Sequence, residues 1–553
     1  MRLRGIGAAP GIAVGPAVVV GTARIAPPGE RADDPAAAEA AATAALAAVA
    51  DELEARAAAA SGAARDVLAA TAMLARDPGL ADAVAARTAD GEGPVDALHG
   101  AVEHWCERLA VLGGTLAERQ TDLRDVFQRA AARLLGVAPP GIPPLAEPSV
   151  LLADDLAPAD TAGLDPALVL GLVTERGGPT SHTAIIAGQL GIPAVVGAAG
   201  ALAAAPARIA LDGTTGETLL DPDDDAAAEL VRRAERRRAL AGTAQGPGST
   251  RDGHRVAVLA NIGGADDARR AVAAGVEGAG LLRTELCFVD RVAAPTVDEQ
   301  AELYRRVLAE LDGRTAVVRV LDAGADKPLA FADPGPQENP ALGVRGVRLL
   351  RERPELLDAQ LAALARARAA TGAELRVMAP MVATAEEAEW FVARCRAAGL
   401  PSAGAMIEVP AAALRAAEVL AGCDFASIGT NDLAQYLFAA DRAEGRLAPL
   451  LDGWQPALWQ LVDAAVRGAG DVPVGICGEA AGDPLLACVA VGAGVGSVSV
   501  SVGRVGLVRA ALARHDLATC RRMLAAVLGA SSPERAREAV GELADPEIAA
   551  LAG

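Results

Sequence analysis

The chain has 553 residues, of which 52% are hydrophobic and 22% are charged, so it can bury the cores of more than one domain. Its formal net charge of −20 at pH 7 disfavours nucleic acid and anionic membranes as partners, whereas a basic protein would be attracted. The seven cysteines are scattered without metal-ligand spacing, which favours a reducing compartment over a disulfide framework or a zinc site.

The chain begins with a basic and then apolar stretch that resembles a secretory signal peptide. Pro10 and several glycines interrupt this stretch, and its alternating pattern instead predicts short strands over residues 1–20. No apolar run in the sequence approaches the ~20 residues that are needed to span a bilayer. We therefore predict a cytoplasmic protein without membrane insertion.

Residues 33–136 are rich in alanine, and their larger apolar side chains recur at helical spacing, which predicts a helical subdomain. A proline-rich stretch ends it, and strand-like segments follow, so the simplest account is one α/β domain with a helical insertion. A segment that is acidic at its start and basic at its end then predicts a linker helix. The predicted domains are an α/β domain at 1–20 and 138–222, the helical insertion at 21–137, the linker helix and hinge at 223–248, and a C-terminal domain at 249–553.

The C-terminal domain contains eight β-rich segments that alternate with helical ones, from "VAVLANI" to "VGSVSVSV". This alternation predicts a (β/α)8 TIM barrel within a multidomain α/β chain, with an open parallel sheet as the alternative. Polar residues follow nearly every segment, at the end where barrel enzymes build their active sites. They are Asn261, Arg283, Glu285, Arg319, Asp322, Glu408, Asn431, Asp432, Cys477 and Glu479.

Three arginines in or beside apolar strands, Arg283, Arg319 and Arg345, could converge at this end of the barrel. Guanidinium groups bind carboxylate and phosphate oxygens, so these residues predict a small substrate with several negative charges. Glu408 and Asp432 follow neighbouring strands, and facing a phosphate they would bind Mg²⁺, a hard cation that takes oxygen ligands. The alternative, for the three arginines and for the two carboxylates, is that they form ion pairs within the protein and bind no ligand.

Two further residues of the C-terminal domain carry reactive groups. Lys327 is the only lysine in a sequence that otherwise uses arginine, which suggests a position where a compact ammonium is needed. Cys477 lies at a strand end, directly before Gly478. Its thiol is either a general acid or a buried and inert side chain.

One of the five histidines, His182, follows the sequence "GGPTS" and precedes an apolar helix. The two glycines permit a tight turn, and Thr180 or Ser181 can cap the helix. The positive end of the helix dipole disfavours the imidazolium, so the imidazole stays neutral and nucleophilic, and free N–H groups there can hold a phosphate. The loop therefore predicts a phosphohistidine, with a chance surface or core histidine as the alternative.

These motifs, in this order and over nearly the whole chain, resemble the family of Enzyme I of the bacterial sugar phosphotransferase system, the phosphoenolpyruvate–protein phosphotransferases. The motifs that carry the resemblance include "GGPTSHTAI", "GLLRTELCFVD", "VRVLDAGADKPL", "SIGTNDLAQY" and "ICGEAAGD". The resemblance implies a swivelling phosphohistidine domain, an insertion that docks the carrier protein HPr, and a barrel that binds phosphoenolpyruvate and forms a homodimer.

The resemblance also implies roles for single residues. His182 would take the phosphoryl group on Nε2, with Thr161 as its orienting residue, and pass it to HPr. Cys477 would protonate the departing enolate to give pyruvate, and Glu408 and Asp432 would bind Mg²⁺. The implied substrate-binding residues are Arg283, Arg319, Lys327, Arg345, Asn431 and Arg442.

Two positions near His182 depart from the family pattern. Pro179 stands where a basic residue is frequent, and Gly188 stands where an arginine is frequent. The lost positive charge leaves a weakened regulatory paralogue as an alternative function. A phosphoenolpyruvate synthase or pyruvate phosphate dikinase is a further alternative, although it would need an ATP-binding domain for which the chain before His182 has no room.

Overall fold

In the computed structural model the chain divides into two compact units, Met1–Ala234 and Glu235–Gly553. Both units combine β-strands with helices, which confirms the predicted multidomain α/β fold. The structure describes residues 1–20, 25–59, 63–112, 114–137, 141–143, 145–156, 164–177, 182–288, 291, 293–324, 329–442 and 444–551.

The described part of the first unit contains an eight-stranded sheet in the order β1-β8-β7-β3-β4-β5-β6-β2. Strands β3 to β6 are parallel neighbours, and β4 is buried at all of its positions, as expected where both faces of a sheet are covered. The chain leaves this sheet after β3 and returns to it at β4. The strands are β1 (Arg2–Arg4), β2 (Ile6–Ala9), β3 (Ile12–Val19), β4 (Ser149–Ala153), β5 (Val169–Thr174), β6 (Ala194–Val196), β7 (Arg208–Asp212) and β8 (Glu217–Leu220).

Most of the described residues between β3 and β4 lie in helices, as the apolar spacing of the sequence predicted. Leu46, Val49 and Leu53 lie on one face of a helix and are buried in a core that is separate from the cores of the sheet. The helix Pro78–Ala89 begins at a proline, and the side chain of Asp77 caps its first N–H groups. The helices described here are Pro35–Ala59, Ala63–Ala75, Pro78–Ala89, Pro94–Leu112 and Gly114–Leu135.

Two further helices lie outside the insertion, one between strands of the sheet and one at the boundary between the two units. The helix His182–Leu190 follows β5 in the first unit, and the helix Asp224–Ala241 contains the boundary between the two units. Aspartates in the first turn and Arg238 in the last turn suit the dipole of the second helix. Among the described residues, no helix combines the length and the apolar character that a membrane crossing requires.

The described residues of the second unit form a closed barrel of eight parallel strands, because β16 pairs with β9. Every β-rich segment that the sequence indicated contains one of these strands, so the barrel is confirmed and the open sheet is wrong. The strands are β9 (Ala257–Ile262), β10 (Gly278–Arg283), β11 (Thr315–Arg319), β12 (Leu375–Ala379), β13 (Ala403–Ile407), β14 (Phe425–Gly429), β15 (Val474–Cys477) and β16 (Ser497–Val500).

Helices surround the barrel and bury its outer face in one large core. A second, smaller apolar cluster contains Met378, Met406 and Phe425 from three neighbouring strands. The helices are Ala265–Ala273, Val297–Glu310, Val347–Glu352, Pro354–Thr371, Ala385–Ala397, Pro410–Leu414, Ala416–Val419, Thr430–Phe438, Pro456–Ala469, Pro484–Ala493, Val505–Arg514, Leu517–Gly529, Pro533–Leu543 and Pro546–Ala549.

Candidate active site

The parallel strands bring charged and reactive residues to one end of the barrel. Arg283, Arg319 and Cys477 are the last residues of β10, β11 and β15, and Glu408 directly follows β13. Asp432 lies in the first turn of the helix that begins where β14 ends. Since the carboxyl ends of parallel strands meet at one rim of a barrel, these side chains share one site.

Arg319 is buried, with 5% of its side chain exposed, and two carboxylates hold it. Its Nη2 donates to Glu285 Oε1, and its Nη1 lies 3.4 Å from Asp322 Oδ2. Burial acts to lower the pKa of Arg319, but these carboxylates raise it above its ordinary value, so the group stays charged. The buried Nε has no hydrogen-bond partner among the described residues. This N–H is therefore unsatisfied and covered by neighbouring atoms, and a ligand oxygen could reach it only if those atoms moved.

Arg345 is fully buried between two carboxylates. Its Nε and Nη2 lie 3.2 and 2.8 Å from the two oxygens of Asp322, and its Nη1 lies 3.0 Å from Asp432 Oδ1 and 3.1 Å from the hydroxyl of Tyr436. Burial acts to lower the pKa of Arg345, whereas Asp322 and Asp432 raise it above its ordinary value. A guanidinium has about five N–H donors, and these bonds engage most of them. A substrate oxygen that binds Nη1 would therefore replace Asp432 or Tyr436.

Residues beside Asp432 add further polar groups to the site. The Nη1 of Arg442 lies 3.3 Å from Asp432 Oδ2, and the backbone N–H of Arg442 donates to Gln435 Oε1 at 3.1 Å. The side chain of Asn431 accepts a hydrogen bond from the backbone N–H of Glu479 at 2.9 Å. This is the one hydrogen bond of the Asn431 side chain within the described residues, so its NH2 group can donate to a ligand.

Glu408 is buried close to Asp432, and its Oε1 accepts a hydrogen bond from the backbone N–H of Met381 at 2.7 Å. Burial raises the pKa of Glu408 to about 7, and the negative charge of Asp432 adds to the rise. Gly429 makes room for this carboxylate, because a Cβ there would lie 2.8 Å from Glu408 Oε2. Glu408 is therefore partly protonated at neutral pH, and a bound cation would favour its charged form.

A hard cation fits this carboxylate pair. Within the described residues there is no group of three or more His, Cys, Asp and Glu side chains that could hold a metal ion by themselves. Mg²⁺ is commonly held by one or two carboxylates and completes its shell with water and phosphate oxygens. Glu408 and Asp432 match that mode of binding, and not a metal site built from protein ligands alone.

Cys477 is buried at the end of β15, and the hydroxyl of Ser427 donates to its Sγ at 3.7 Å. Burial raises the pKa of Cys477 above its ordinary value, and the hydrogen bond from Ser427 only partly offsets this. The thiol therefore keeps its proton at neutral pH. The next residue must be glycine, because Gly478 has φ +102° and a Cβ there would collide with the hydroxyl of Thr430.

His182 is the first residue of the helix that follows β5, and it belongs to the first compact unit. Its side chain, together with Thr161, Lys327 and Pro179, lies outside the described residues. Gly188 is exposed on the same helix. The structure thus gives the position of His182 in the chain, at a helix N-terminus, and describes no contact of its imidazole.

The structure also shows residues of this site for which the sequence analysis gave no role. Glu285 and Asp322 orient Arg319 and Arg345, and their place at strand ends was the signal that could have found them. Tyr436 binds Arg345 from the helix after β14, and no feature of the sequence indicated this contact.

Comparison with known proteins gave matches over both units. Residues 237–517 match the family described as PEP-utilising enzyme, PEP-binding domain, residues 145–216 match the mobile domain of PEP-utilising enzymes, and residues 4–119 match their N-terminal domain. A phosphoenolpyruvate-protein phosphotransferase of Streptomyces coelicolor is 50% identical over 544 residues, which are 97% of this chain and 98% of that protein. One of Haloferax volcanii is 40% identical over 482 residues, 84% of each chain. An NMR solution structure of Enzyme I (nEIt) is 32% identical, with a TM-score of 0.38, and covers 42% of this chain and 98% of that one.

Proposed function

The chain belongs to the family of phosphoenolpyruvate-protein phosphotransferases, and we propose that it transfers the phosphoryl group of phosphoenolpyruvate through His182 to the carrier protein HPr. The enzyme is a phosphotransferase that uses phosphoenolpyruvate. The observation that carries the proposal is the buried array at the barrel rim, where arginines and a pair of carboxylates face one another. Such an array binds a small anion with several charges and its metal ion.

The substrate-binding residues of this proposal are Arg283, Arg319, Lys327, Arg345, Asn431 and Arg442. Arg319 supports it through a charged guanidinium that is fixed by two carboxylates. Asn431 supports it through an oriented amide. Guanidinium and amide donors in fixed positions bind phosphate and carboxylate oxygens without reorganisation during the reaction.

Glu408 and Asp432 would hold Mg²⁺, which when bound neutralises charge on the phosphate. Asp432 is bonded to Arg345 and Arg442 in this structure. Binding of a cation by Asp432 would weaken these ion pairs, so both arginines would become available to the anionic substrate.

In the reaction, Nε2 of His182 attacks the phosphorus of phosphoenolpyruvate, and the bond from phosphorus to the bridging oxygen breaks. The enolate of pyruvate leaves with that electron pair, and Thr161 orients the imidazole. Cys477 then donates its proton to the methylene carbon, which gives pyruvate, and the thiolate takes up a proton from water before the next turnover. A thiol whose pKa is raised by burial is protonated when the enolate forms, which supports this role.

The proposed division of labour follows the predicted domains. The α/β domain at 1–20 and 138–222 would carry the phosphohistidine, the insertion at 21–137 would dock HPr, the segment 223–248 would act as linker and hinge, and the barrel at 249–553 would bind phosphoenolpyruvate and dimerise. Residues 33–136 contain 17 Asp and Glu against 9 Arg, a net of 17 − 9 = 8 negative charges, which supports a basic partner. All seven cysteines are free thiols, which supports a cytoplasmic location.

The test is to incubate the purified chain with Mg²⁺ and phosphoenolpyruvate that carries a radioactive phosphate, and to follow labelled protein and pyruvate. The wild type should acquire acid-labile, base-stable phosphate and release pyruvate, with continued turnover when HPr is present. His182→Ala should abolish labelling while phosphoenolpyruvate binding, measured by calorimetry, persists. Labelled His182→Ala protein would refute the assignment, and a wild type that binds HPr but releases no pyruvate would favour a regulatory paralogue.

A further inference from the structure

A buried hydrogen-bond network connects an outer helix of the barrel to the strand that ends in Arg319. Its centre is Gln360, which is fully buried on the helix Pro354–Thr371. The Oε1 of Gln360 accepts a hydrogen bond from the backbone N–H of Leu321 at 3.0 Å. Its Nε2 donates to the hydroxyl of Thr284 at 3.1 Å. The amide therefore connects Thr284, which follows β10, with the backbone that follows β11.

Thr284 extends the network to Arg319 itself. Its hydroxyl donates to the carbonyl oxygen of Arg319 at 2.9 Å, and this bond is buried. Gln360 thus holds the two peptide groups that follow Arg319. It reaches the carbonyl of Arg319 through Thr284, and it accepts directly from the N–H of Leu321. Asp322, the next residue, binds both Arg319 and Arg345. The network therefore fixes the short piece of backbone between two members of the buried ion cluster.

Packing alone does not account for an amide at this position. An apolar side chain of similar size would fill the same volume, and a buried polar group is costly unless its hydrogen bonds are made. With an apolar residue at 360, the N–H of Leu321 would lose its partner and the hydroxyl of Thr284 would lose a donor. A buried network with satisfied partners stiffens the groups that it connects.

We propose that Gln360 is a positioning residue for substrate binding, which acts through Thr284 and Leu321 to fix the backbone that carries Arg319 and Asp322. The inference rests on the proposed role of Arg319 in binding phosphoenolpyruvate. Gln360 does not touch the substrate, so its effect is on where the guanidinium groups are held. A displacement of such groups by a fraction of an ångström weakens their grip on a small rigid anion.

The network has an outer branch that provides a matched control. The Nε2 of Gln360 also donates to the hydroxyl of Tyr304 at 2.9 Å, and this hydroxyl lies 3.4 Å from Gln300 Oε1. Tyr304 is as deeply buried as Gln360, but it bonds neither Arg319 nor Leu321. Tyr304→Phe removes a buried hydroxyl while it leaves the bonds of Gln360 to Thr284 and Leu321 in place.

The experiment compares pairs of variants of the full chain in the pyruvate-release assay with Mg²⁺ and HPr. Thr284→Val removes the hydroxyl and Thr284→Ser keeps it. Thr284→Val should raise the KM for phosphoenolpyruvate about tenfold with a smaller change in kcat, since it loosens binding groups rather than the reacting atoms. Thr284→Ser should stay within about twofold of the wild type. Gln360→Met should match or exceed Thr284→Val, and Tyr304→Phe should keep the wild-type KM.

Thermal unfolding of each variant separates positioning from loss of stability. If Tyr304→Phe raised the KM as much as Gln360→Met, the effect would follow from destabilisation and the inference would be wrong. It would also be wrong if Thr284→Val kept the wild-type KM while Arg319→Lys raised it, although the role of Arg319 would then stand. If Arg319→Lys itself kept the wild-type KM, the proposed role of Arg319 would fail. Should Gln360→Met not fold, the Thr284 pair alone decides.

Discussion

The buried ion cluster at the barrel rim and an exposed ion cluster of the helical insertion differ in how their charges meet water. At the barrel rim, Arg345 and Asp322 are both 0% exposed and lie 2.8 Å apart. In the insertion, Arg76 is 45% exposed and faces Asp51 and Glu54, which are 70% and 52% exposed. Arg345 and Asp322 belong to a buried set of side chains that hydrogen-bond one another. Arg76, Asp51 and Glu54 are instead exposed to water on the surface of the insertion.

This difference in burial separates two functions of charge. Buried charges have lost their hydration, so each depends on its partners and the set is held in one arrangement. That arrangement suits the binding of a small anion in a defined orientation. Exposed ion pairs contribute little to stability and are screened by salt, but their summed charge acts at a distance on an approaching protein. The barrel should therefore be sensitive to single substitutions, and the insertion to ionic strength.

The largest effect that this comparison predicts is that of Arg345→Met. The substitution leaves Asp322 and Asp432 buried without the guanidinium that binds both, and breaking such a pair typically costs about 3–5 kcal/mol. We expect an equivalent fall in the free energy of unfolding by urea, together with loss of phosphoenolpyruvate binding in calorimetry. Arg76→Ala, the control from the insertion, should change neither measurement detectably. Equal stability of the two variants would contradict the comparison.

A second prediction separates chemistry in the barrel from transfer at His182. Cys477→Ala removes the proposed proton donor, so pyruvate formation from phosphoenolpyruvate should slow by roughly 10²–10⁴-fold. Exchange of phosphate between phospho-HPr and His182 needs no protonation of carbon, so it should keep its rate. Cys423→Ala is the matched control, because Cys423 is also a buried thiol of the second unit. Equal slowing of both half-reactions by Cys477→Ala would indicate a structural cysteine.

Much of the barrel could be predicted from the sequence, because its signals are local. The strands are short apolar segments, and the polar residues that follow them mark the rim. The positions of Arg283, Arg319, Glu408 and Cys477 followed from this pattern alone. The prediction that Glu408 and Asp432 bind Mg²⁺ stays a prediction, since the described residues show only that the pair fits such a cation.

The contacts that orient these side chains were not predictable, because they join residues far apart in the sequence. Arg345 and Tyr436 are separated by 91 positions, and Gln360 and Thr284 by 76. No spacing rule connects such residues, and a buried glutamine on a helix looks like any other polar helical residue until its partners are known. The roles of Lys327 and Thr161 were inferred from composition or from the family resemblance. They stay predictions, because both residues lie outside the described residues.

A third prediction sharpens the comparison with a buried group that is kept uncharged. The backbone N–H of Asp545 donates to His515 Nε2 at 2.8 Å, and His515 Nδ1 lies 2.7 Å from the carbonyl of Ala511, so both nitrogens are used by the neutral ring. Burial lowers the pKa of His515 below its ordinary value of 6.5.

Below about pH 6.5, the ordinary pKa of histidine, His515 binds a proton in the unfolded chain but stays neutral in the folded chain. The contribution of His515 to stability is therefore present above about pH 6.5 and is lost as the pH falls through its folded pKa. We expect the urea midpoint of the barrel unit to fall from pH 7 toward pH 5. His515→Gln can still accept from Asp545 and cannot become charged, so its midpoint should depend less on pH. An identical pH dependence in the two proteins would assign the loss to other groups.

The smallest expected effect concerns the exposed charges of the acidic insertion, which act through their sum. Its net of 17 − 9 = 8 negative charges over residues 33–136 should speed the approach of a basic HPr surface, and this attraction is screened beyond about 8–10 Å at physiological ionic strength. The apolar side chain of Met73, which is 74% exposed, would then hold the bound partner. In stopped-flow binding to the full chain, raising the salt concentration should lower the association rate and leave the dissociation rate nearly unchanged, because steering acts before contact. Met73→Ala should do the reverse, with a faster dissociation rate and an unchanged salt dependence. Two results would contradict this prediction: salt that acts only on the dissociation rate, or a Met73→Ala variant in which only the association rate changes. The exposed charges would then be part of the contact itself. The contrast with the buried charges of the barrel would then be weaker than the burial of the two regions indicates.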